Sequence, residues 1–293
     1  MGELSPPTRD RLTGALLAWG ESRLRDLPWR RTRDAWAIFI SEVMLQQTSV
    51  ARVLPKFDAF IARFPRPSDL ARVPLGEALV LWEGLGYPRR CRNLRDAAIV
   101  IQRDHGGRVP DNLNDLLALP GVGPYTARAI LTFAFGHDEA VVDTNVARVL
   151  SRVAGEPMKL ASTQDLADDL VPRGRAWEWN QIMMDFGATV CTARSPKCDQ
   201  CALVDLCAWA GDVTQADPAT TTQGTSRPQA RFEGSDRQAR GRALRAVSLQ
   251  PLTDSEVFAA MELSHDLERA RWLLDQLLTE GLVARVDGNI SLP

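Results

Sequence analysis

The sequence predicts an all-α protein over residues 8–210, with a small helix-and-hairpin unit at its C-terminal end. Three observations predict it. Apolar residues recur at three and four, as in Leu12, Ala15, Leu16 and Trp19, which is the helical period. Long alternating runs, the mark of half-buried strands, are absent. Pro and Gly punctuate the periodic segments and end one helix before the next begins.

In order, the helical segments are 8–25, 34–46, 49–64, 89–105, 112–118, 122–136, 143–153, 163–171 and 174–190. Residues 211–230 lack large apolar side chains and are rich in Thr, Gln, Pro and Gly, the composition of a flexible linker. An Arg-rich segment follows over 231–245. Thr253-Asp254-Ser255-Glu256 has the capping-box pattern that opens a helix. A second helix over 265–280 would turn Leu267, Ala270, Leu274, Leu277 and Leu278 inward. Asp287-Gly288, between LVARV and NISL, is a two-residue hairpin signal. Two helices and a hairpin suggest a winged-helix-like unit. Asp266, Glu268, Asp275 and Glu280 make its second helix acidic, which suits protein packing better than reading DNA.

The chain has 293 residues, 45% hydrophobic and 25% charged, as expected of a soluble globular protein with a sizeable core. No apolar run approaches the ~18–20 residues of a membrane span, and MGELSPPTRD does not resemble a signal peptide. A cytoplasmic protein is expected, nucleoid-associated if bacterial. The net charge of −2 gives no argument for a nucleic-acid partner. Any DNA affinity must come from local patches such as Arg89–Arg95, which read equally well as a solvated helix face.

Cys191, Cys198, Cys201 and Cys207 stand as C-x6-C-x2-C-x5-C. Thiolates so close in sequence can converge on one metal centre. A disulfide framework does not suit a cytosolic chain. Zinc is a rival, since four cysteines make a closed structural site. Zinc modules usually offer two short Cys-x2-Cys claws, however, and this chain offers one. The wider loops favour a [4Fe–4S] cluster with one cysteine per iron. Cys91 lies outside the group and reads as a small buried hydrophobe.

Residues 112–130 read NLNDLLALPGVGPYTARAI. A short helix ends at Leu119-Pro120, Gly121-Val122-Gly123 forms a tight turn, and Pro124 opens the next helix. Two glycines permit close backbone approach, and free N–H groups at a helix start can bind a DNA phosphate. A Gly-x-Gly alone is usually just a turn. Helix–LPGVG–helix is far more specific for a sequence-independent grip on DNA.

With hairpin and cysteines on one chain, the sequence resembles the helix-hairpin-helix DNA glycosylases of the endonuclease III superfamily. Within them it is most similar to the adenine-specific mismatch glycosylases (MutY). The motifs are LPWR at 27–30, SEVMLQQTSV at 41–50, WEGLGYPRR at 82–90, LPGVGPYTA at 119–127, VVDTNVARVL at 141–150 and the cysteine pattern. They span about residues 8–210. The resemblance implies a glycosylase domain over 1–210; composition and pattern place a linker over 211–230, and the Arg-rich segment and winged-helix-like unit over 231–293. A six-helix barrel would cover about 31–136, and a cluster lobe about 1–30 and 137–210.

It further implies that Glu42 is the general acid, protonating adenine N7 and then assisting a water. Asp143 would stabilise the oxocarbenium-like sugar cation, as paired carboxylates do in glycoside cleavage. A buried site would favour the neutral Glu42 acid and a hydrogen-bonded Asp143 anion. Taken alone, Asp143 is also a natural helix N-cap. Asn145 would assist the cation. Arg30 and Gln181 would contact the flipped adenine, while Trp29 fits core packing. Gln47 and Tyr87 would enter the base stack and meet the partner base. Tyr125 stands where bifunctional relatives carry a lysine, and the only lysines are Lys56, Lys159 and Lys197. Tyrosine cannot form a Schiff base, so a monofunctional enzyme leaving an abasic site is implied.

The implied substrate is double-stranded DNA with adenine opposite 8-oxoguanine or guanine, and the implied state is a monomer. Pro88 stands where many relatives have a second aromatic residue. Residues 211–293 are too short for the usual Nudix-like lesion-sensing domain. Lesion recognition would then fall to Gln47, Tyr87 and the 231–245 segment. Two rival readings are a T:G mismatch glycosylase of the same superfamily and a non-enzymatic iron–sulfur DNA-binding regulator.

Overall fold

A computed structural model describes residues 5–225 and 230–293. It divides into two compact units, one of residues 1–33 and 123–228 and one of 34–122 and 229–293.

In the first unit, α1 (Pro6–Gly20), α9 (Thr144–Ala154), α10 (Leu160–Leu170) and α11 (Ala176–Thr189) share one core. Leu12 and Leu16 meet Val146, Leu150, Ile182 and Phe186 there. Each such side chain contributes roughly 1.5–3 kcal/mol by leaving water. Gly20 ends α1 against α11, where an added Cβ would sit 2.3 Å from Ile182. The segment α8 (Pro124–Ile130) continues as a π-helical turn, Leu131–Phe135, that stops at Gly136 with φ 78°.

Residues 217–223 lie within the stretch whose composition reads as a linker, yet they are tied to this unit. Asp217 pairs with buried Arg152 at 2.6 Å. The Met158 N–H donates to Thr222 Oγ1, and the Gln223 N–H donates to the Met158 carbonyl. Polar side chains do the anchoring, which an absence of large apolar residues does not reveal.

In the second unit, α2 (Ala35–Leu45) is buried from Trp36 to Met44. A helix apolar all round belongs inside a domain. Helices α3 (Val50–Arg63) and α6 (Arg89–Asp104) pack on it, and the unit also holds α4 (Pro67–Arg72), α5 (Leu75–Trp82) and α7 (Leu113–Ala118). Helices α4 and α5 were not expected. They are only 6 and 8 residues long, and Pro67 at the start of α4 and Pro74 before α5 read as loop signals.

The C-terminal residues add three helices and a hairpin to this unit: α12 (Asp236–Val247), α13 (Asp254–Ala260), α14 (Leu267–Thr279), β1 (Ala284–Val286) and β2 (Asn289–Ser291). The capping box at Thr253 and Glu256 is formed. The hairpin turns at Asp287 (φ 49°) and Gly288 (φ 81°), pairing Val286 with Asn289, as a primed two-residue turn requires. Ala270, Leu274 and Leu277 face inward, but Leu267 is exposed because it is the first residue of its helix. Helix α12 was read only as an Arg-rich segment. Its buried stripe is Ala239, Ala243 and Val247, small residues at a spacing of four. Among the described residues, no helix is long and apolar enough to cross a membrane.

Candidate active site and cluster loop

Asp143 is the N-cap of α9. Its Oδ1 accepts from the Asn145 and Val146 N–H groups at 2.8 and 2.7 Å, and its Oδ2 accepts from Asn145 Nδ2 at 2.8 Å. Burial pushes its pKa up, against the pull of those three donors and of Arg148. The carboxyl is therefore fixed in position by its donors, but ionises less readily than an ordinary aspartate.

Arg148, one turn further along α9, carries nothing that singles it out in the sequence. It is 4% exposed. Its guanidinium donates to Asn145 Oδ1 and the Gly187 carbonyl, each at 2.7 Å, and to the Cys191 carbonyl at 2.8 Å. Asp143, Asn145, Arg148 and Cys191 thus form one continuous hydrogen-bonded chain. An arginine within VARVL gives no sign of this until the helix places it one turn from Asn145. Gly187 is required here, since a Cβ would lie 2.6 Å from that of Asn145.

Arg30 is the last residue of the short helical turn Pro28–Arg30 and is held against α11. Its two terminal nitrogens donate to Asp185 at 2.7 and 2.9 Å. Arg25 Nε donates to the same carboxylate at 2.7 Å. Arg30 Nε is buried and makes no hydrogen bond. Burial raises the Asp185 pKa, but the donors from Arg30 and Arg25 outweigh it, and the net shift is downward. Gln181 is buried on α11, and Trp29 is buried beside Arg30 in the chain. Tyr125, the second residue of α8, is half-buried.

Glu42 lies in the other unit, 5% exposed on α2, whose other residues apart from Ser41 are apolar. Gln47, just beyond α2, is exposed and has φ 55°. Tyr87 has φ 48°. Both are strained for residues with a Cβ. Arg90 holds the two loops together. Its Nη1 donates to the carbonyls of Val43, Met44 and Gln46. Its Nη2 donates to Thr48 Oγ1 and the carbonyls of Leu85 and Gly86. The guanidinium also lies 5.5 Å from both the Trp82 and the Tyr87 ring centroids. The sequence placed Arg90 in a basic patch; the structure buries it.

In the hairpin, Gly121 has φ 77° and approaches α6 so closely that a Cβ would lie 2.7 Å from that of Asn93. Gly123 differs: its φ is −104°, it caps α8, and the space a Cβ would enter is open. Val122 between them is buried.

The four cysteines of the loop line one pocket with Arg152, Pro196 and Trp209. Among the described residues, no three His, Cys, Asp or Glu side chains converge as a single ion requires. Thiols placed around a cavity fit a polynuclear cluster better than one zinc ion. Polar donors already face the sulfurs. Arg152 Nη1 lies 3.3 Å from Cys191 Sγ, the Leu203 N–H 3.4 Å from Cys201 Sγ and the Ala210 N–H 3.3 Å from Cys207 Sγ. Burial pushes the Cys201 thiol up to about 11 and raises Cys198 and Cys207; the positive charge of bound iron would reverse that preference.

The fold, the hairpin and the cysteine loop define a helix-hairpin-helix base excision glycosylase. A family model described as HhH-GPD superfamily base excision DNA repair protein matches residues 40–171. The iron–sulfur binding domain of endonuclease III matches 191–207, bounded by the first and last of the four cysteines. The cofactor is therefore a [4Fe–4S] cluster and not zinc. A thermostable thymine-DNA glycosylase structure superposes with TM-score 0.66 at 34% identity, over 70% of this chain and 97% of that one.

Adenine DNA glycosylase of Mycobacterium tuberculosis is 43% identical over 95% of this chain and 92% of its own length. The human adenine DNA glycosylase is 44% identical over 66% of this chain and 38% of its own. The chain belongs to the adenine DNA glycosylase family. It is an enzyme of base excision repair, and DNA is its substrate.

Proposed function

We propose that this enzyme excises adenine opposite 8-oxoguanine or guanine, leaves an intact strand with an abasic site, and acts as a monomer in the cytoplasm or nucleoid. The observation that carries this reading is the Asp143 carboxyl, held by three N–H donors at a helix N-terminus. A fixed anion of this kind stabilises a sugar cation without moving.

In the reaction, Glu42 donates a proton to adenine N7. The C1′–N9 bond breaks with its electron pair leaving on adenine. Asp143, with Asn145 beside it, faces the resulting cation. Water adds to C1′ as Glu42 recovers a proton, giving the abasic sugar. Arg30 Nε is the buried donor available for the extruded adenine, with Gln181 its partner in that contact. Gln47 and Tyr87 meet the base left behind. Gly121, Val122 and Gly123 present backbone to a phosphate, and open space at Gly123 favours that approach. Tyr125 offers no amine, so the strand is not cut. Cys191, Cys198, Cys201 and Cys207 hold the cluster, which supplies a rigid link among four points of the loop.

The test is excision from duplexes carrying A:8-oxoG, A:G or T:G, with and without alkali. Adenine release with strand breaks only after alkali is expected. Thymine release from T:G would establish the rival specificity, and breaks without alkali would end the monofunctional reading.

A further inference from the structure

Helix α12 lies on the loop that carries Tyr87. Gly241 and Leu244 of α12 line an apolar cavity with Trp82, Pro88 and Leu292. Arg245 of α12 pairs with Glu83 at 3.2 Å. The chain end closes over the same surface. The Gly76 N–H donates to the Pro293 carbonyl at 2.8 Å, and a Cβ on Gly76 would lie 2.8 Å from that of Leu292. Arg92 donates to the Glu280 carbonyl, and Arg240 pairs with the Glu280 carboxylate. The C-terminal helices are thus anchored on both sides of the loop.

At the centre of this contact, Arg237 Nη1 donates to the Tyr87 hydroxyl at 3.1 Å. Arg237 is itself held: Nη2 donates to the Ala230 carbonyl at 2.7 Å, and the guanidinium lies 6.0 Å from the Phe232 ring centroid. Tyr87 is therefore fixed at both ends, its ring beside Arg90 and its hydroxyl at Arg237. A side chain on strained backbone keeps one orientation only when its surroundings dictate it.

We propose that Arg237 is a positioning residue for recognition of the base opposite the excised adenine. It locks Tyr87 in the orientation that meets that base, so the C-terminal helices take part in reading the mispair. This rests on the placement of Tyr87 at the partner base.

The test uses the full chain and four proteins: wild type, Arg237→Met, Tyr87→Phe and the double variant. Each is titrated with a duplex carrying a non-cleavable 2′-fluoro-adenosine opposite 8-oxoguanine, and with a fully paired duplex. Each single variant is expected to weaken mispair binding about tenfold, the scale of one hydrogen bond to a charged group. The double variant should lose no more than either single one, and fully paired DNA should bind as before. Arg237→Lys, which keeps a charged donor, should recover part of the loss.

The chain has 2 tyrosines, so fluorotyrosine labelling gives two resonances. Arg237→Met should shift the one that Tyr87→Phe removes. Multiplied losses in the double variant, equal losses on both duplexes, or an unmoved resonance would overturn the proposal. If Tyr87→Ala leaves mispair binding and excision intact, the placement of Tyr87 itself fails. If Tyr87→Ala is impaired while Arg237→Met matches wild type, only the role of Arg237 fails.

Discussion

Arg30 is clamped by Asp185: two terminal nitrogens of one side chain meet two carboxylate oxygens of the other, at 2.7 and 2.9 Å. Asp185 is fully buried and Arg30 nearly so. The pair orients a residue proposed to touch adenine and also ties the 27–30 turn to α11. Breaking a buried pair strands the remaining charge, at a cost of about 3–5 kcal/mol. Asp185→Asn should therefore lower thermal stability by that amount and weaken adenine excision. The Asp185 pKa is shifted down in the folded protein. Its stabilisation is fully present above the usual value of about 3.9 and lost as pH falls towards the lower folded value. Acid unfolding of wild type and Asp185→Asn should converge in that window. Parallel curves down to the lowest pH would refute this assignment.

Asp143 predicts a different pH dependence. Its pKa is raised, chiefly by burial. The anion proposed to serve the sugar cation forms only as pH climbs past that raised value. The single-turnover rate should rise with pH, with its acid inflection above the ordinary aspartate value of about 3.9. Asp143→Asn should abolish excision at every pH while sparing the fold, because the Asn oxygen still caps α9. Asp143→Ala should add a loss of about 0.5–2 kcal/mol for the missing cap. An acid limb at or below the ordinary value would contradict the upward shift.

The helices were legible where their pattern was strong. From α6 to α11, apolar period, caps and punctuation agree with the structure. Helices α4 and α5 escaped because they are short and bracketed by proline. Helix α12 escaped because Ala239 and Ala243 bury little surface and four arginines dominate its composition. Within the candidate site, motifs mark the candidate residues, and nothing in the motifs singles out the partners those residues meet. Asp185, Arg148 and Arg237 acquire roles only when residues 155, 43 and 150 positions apart meet. No local spacing encodes such meetings. Arg90 shows the same limit from the other side: its neighbours in sequence suggest a solvated patch, while the fold makes it a buried donor to two loops.

Arg90 should therefore be among the most sensitive positions of the second unit. Arg90→Met keeps much of the volume but takes a donor from six acceptors, of which the Leu85 and Gly86 carbonyls keep Thr48 Oγ1 and Trp82 Nε1. Each buried acceptor left unsatisfied costs about 1–3 kcal/mol, though relaxation and water recover part of the sum. A destabilisation of several kcal/mol is expected in chemical denaturation. In protein that remains folded, the loops of Gln47 and Tyr87 should both gain hydrogen exchange. Faster exchange in one loop alone would show that Arg90 does not couple them.

Arg148 gives the last prediction, because it touches both the proposed chemistry and the cluster loop. It donates to Asn145 Oδ1, which in turn places Nδ2 on Asp143, and to the carbonyl of Cys191. It contacts no sulfur through these bonds, so Arg148→Met leaves all four thiols in place. The variant should still carry its cluster, seen as unchanged visible absorption per protein. Its excision rate should fall about 10–100-fold, the scale of losing a residue that orients a site from outside. The fall should appear in the single-turnover rate more than in DNA affinity, since Asn145 and Asp143 are the residues proposed to serve the sugar cation. Arg148→Lys offers one charged donor in place of a fork and should recover little. Should excision survive intact while the cluster is lost, Arg148 would be a support of the cysteine loop alone, and the chain from Asp143 to Cys191 would carry no part of the chemistry.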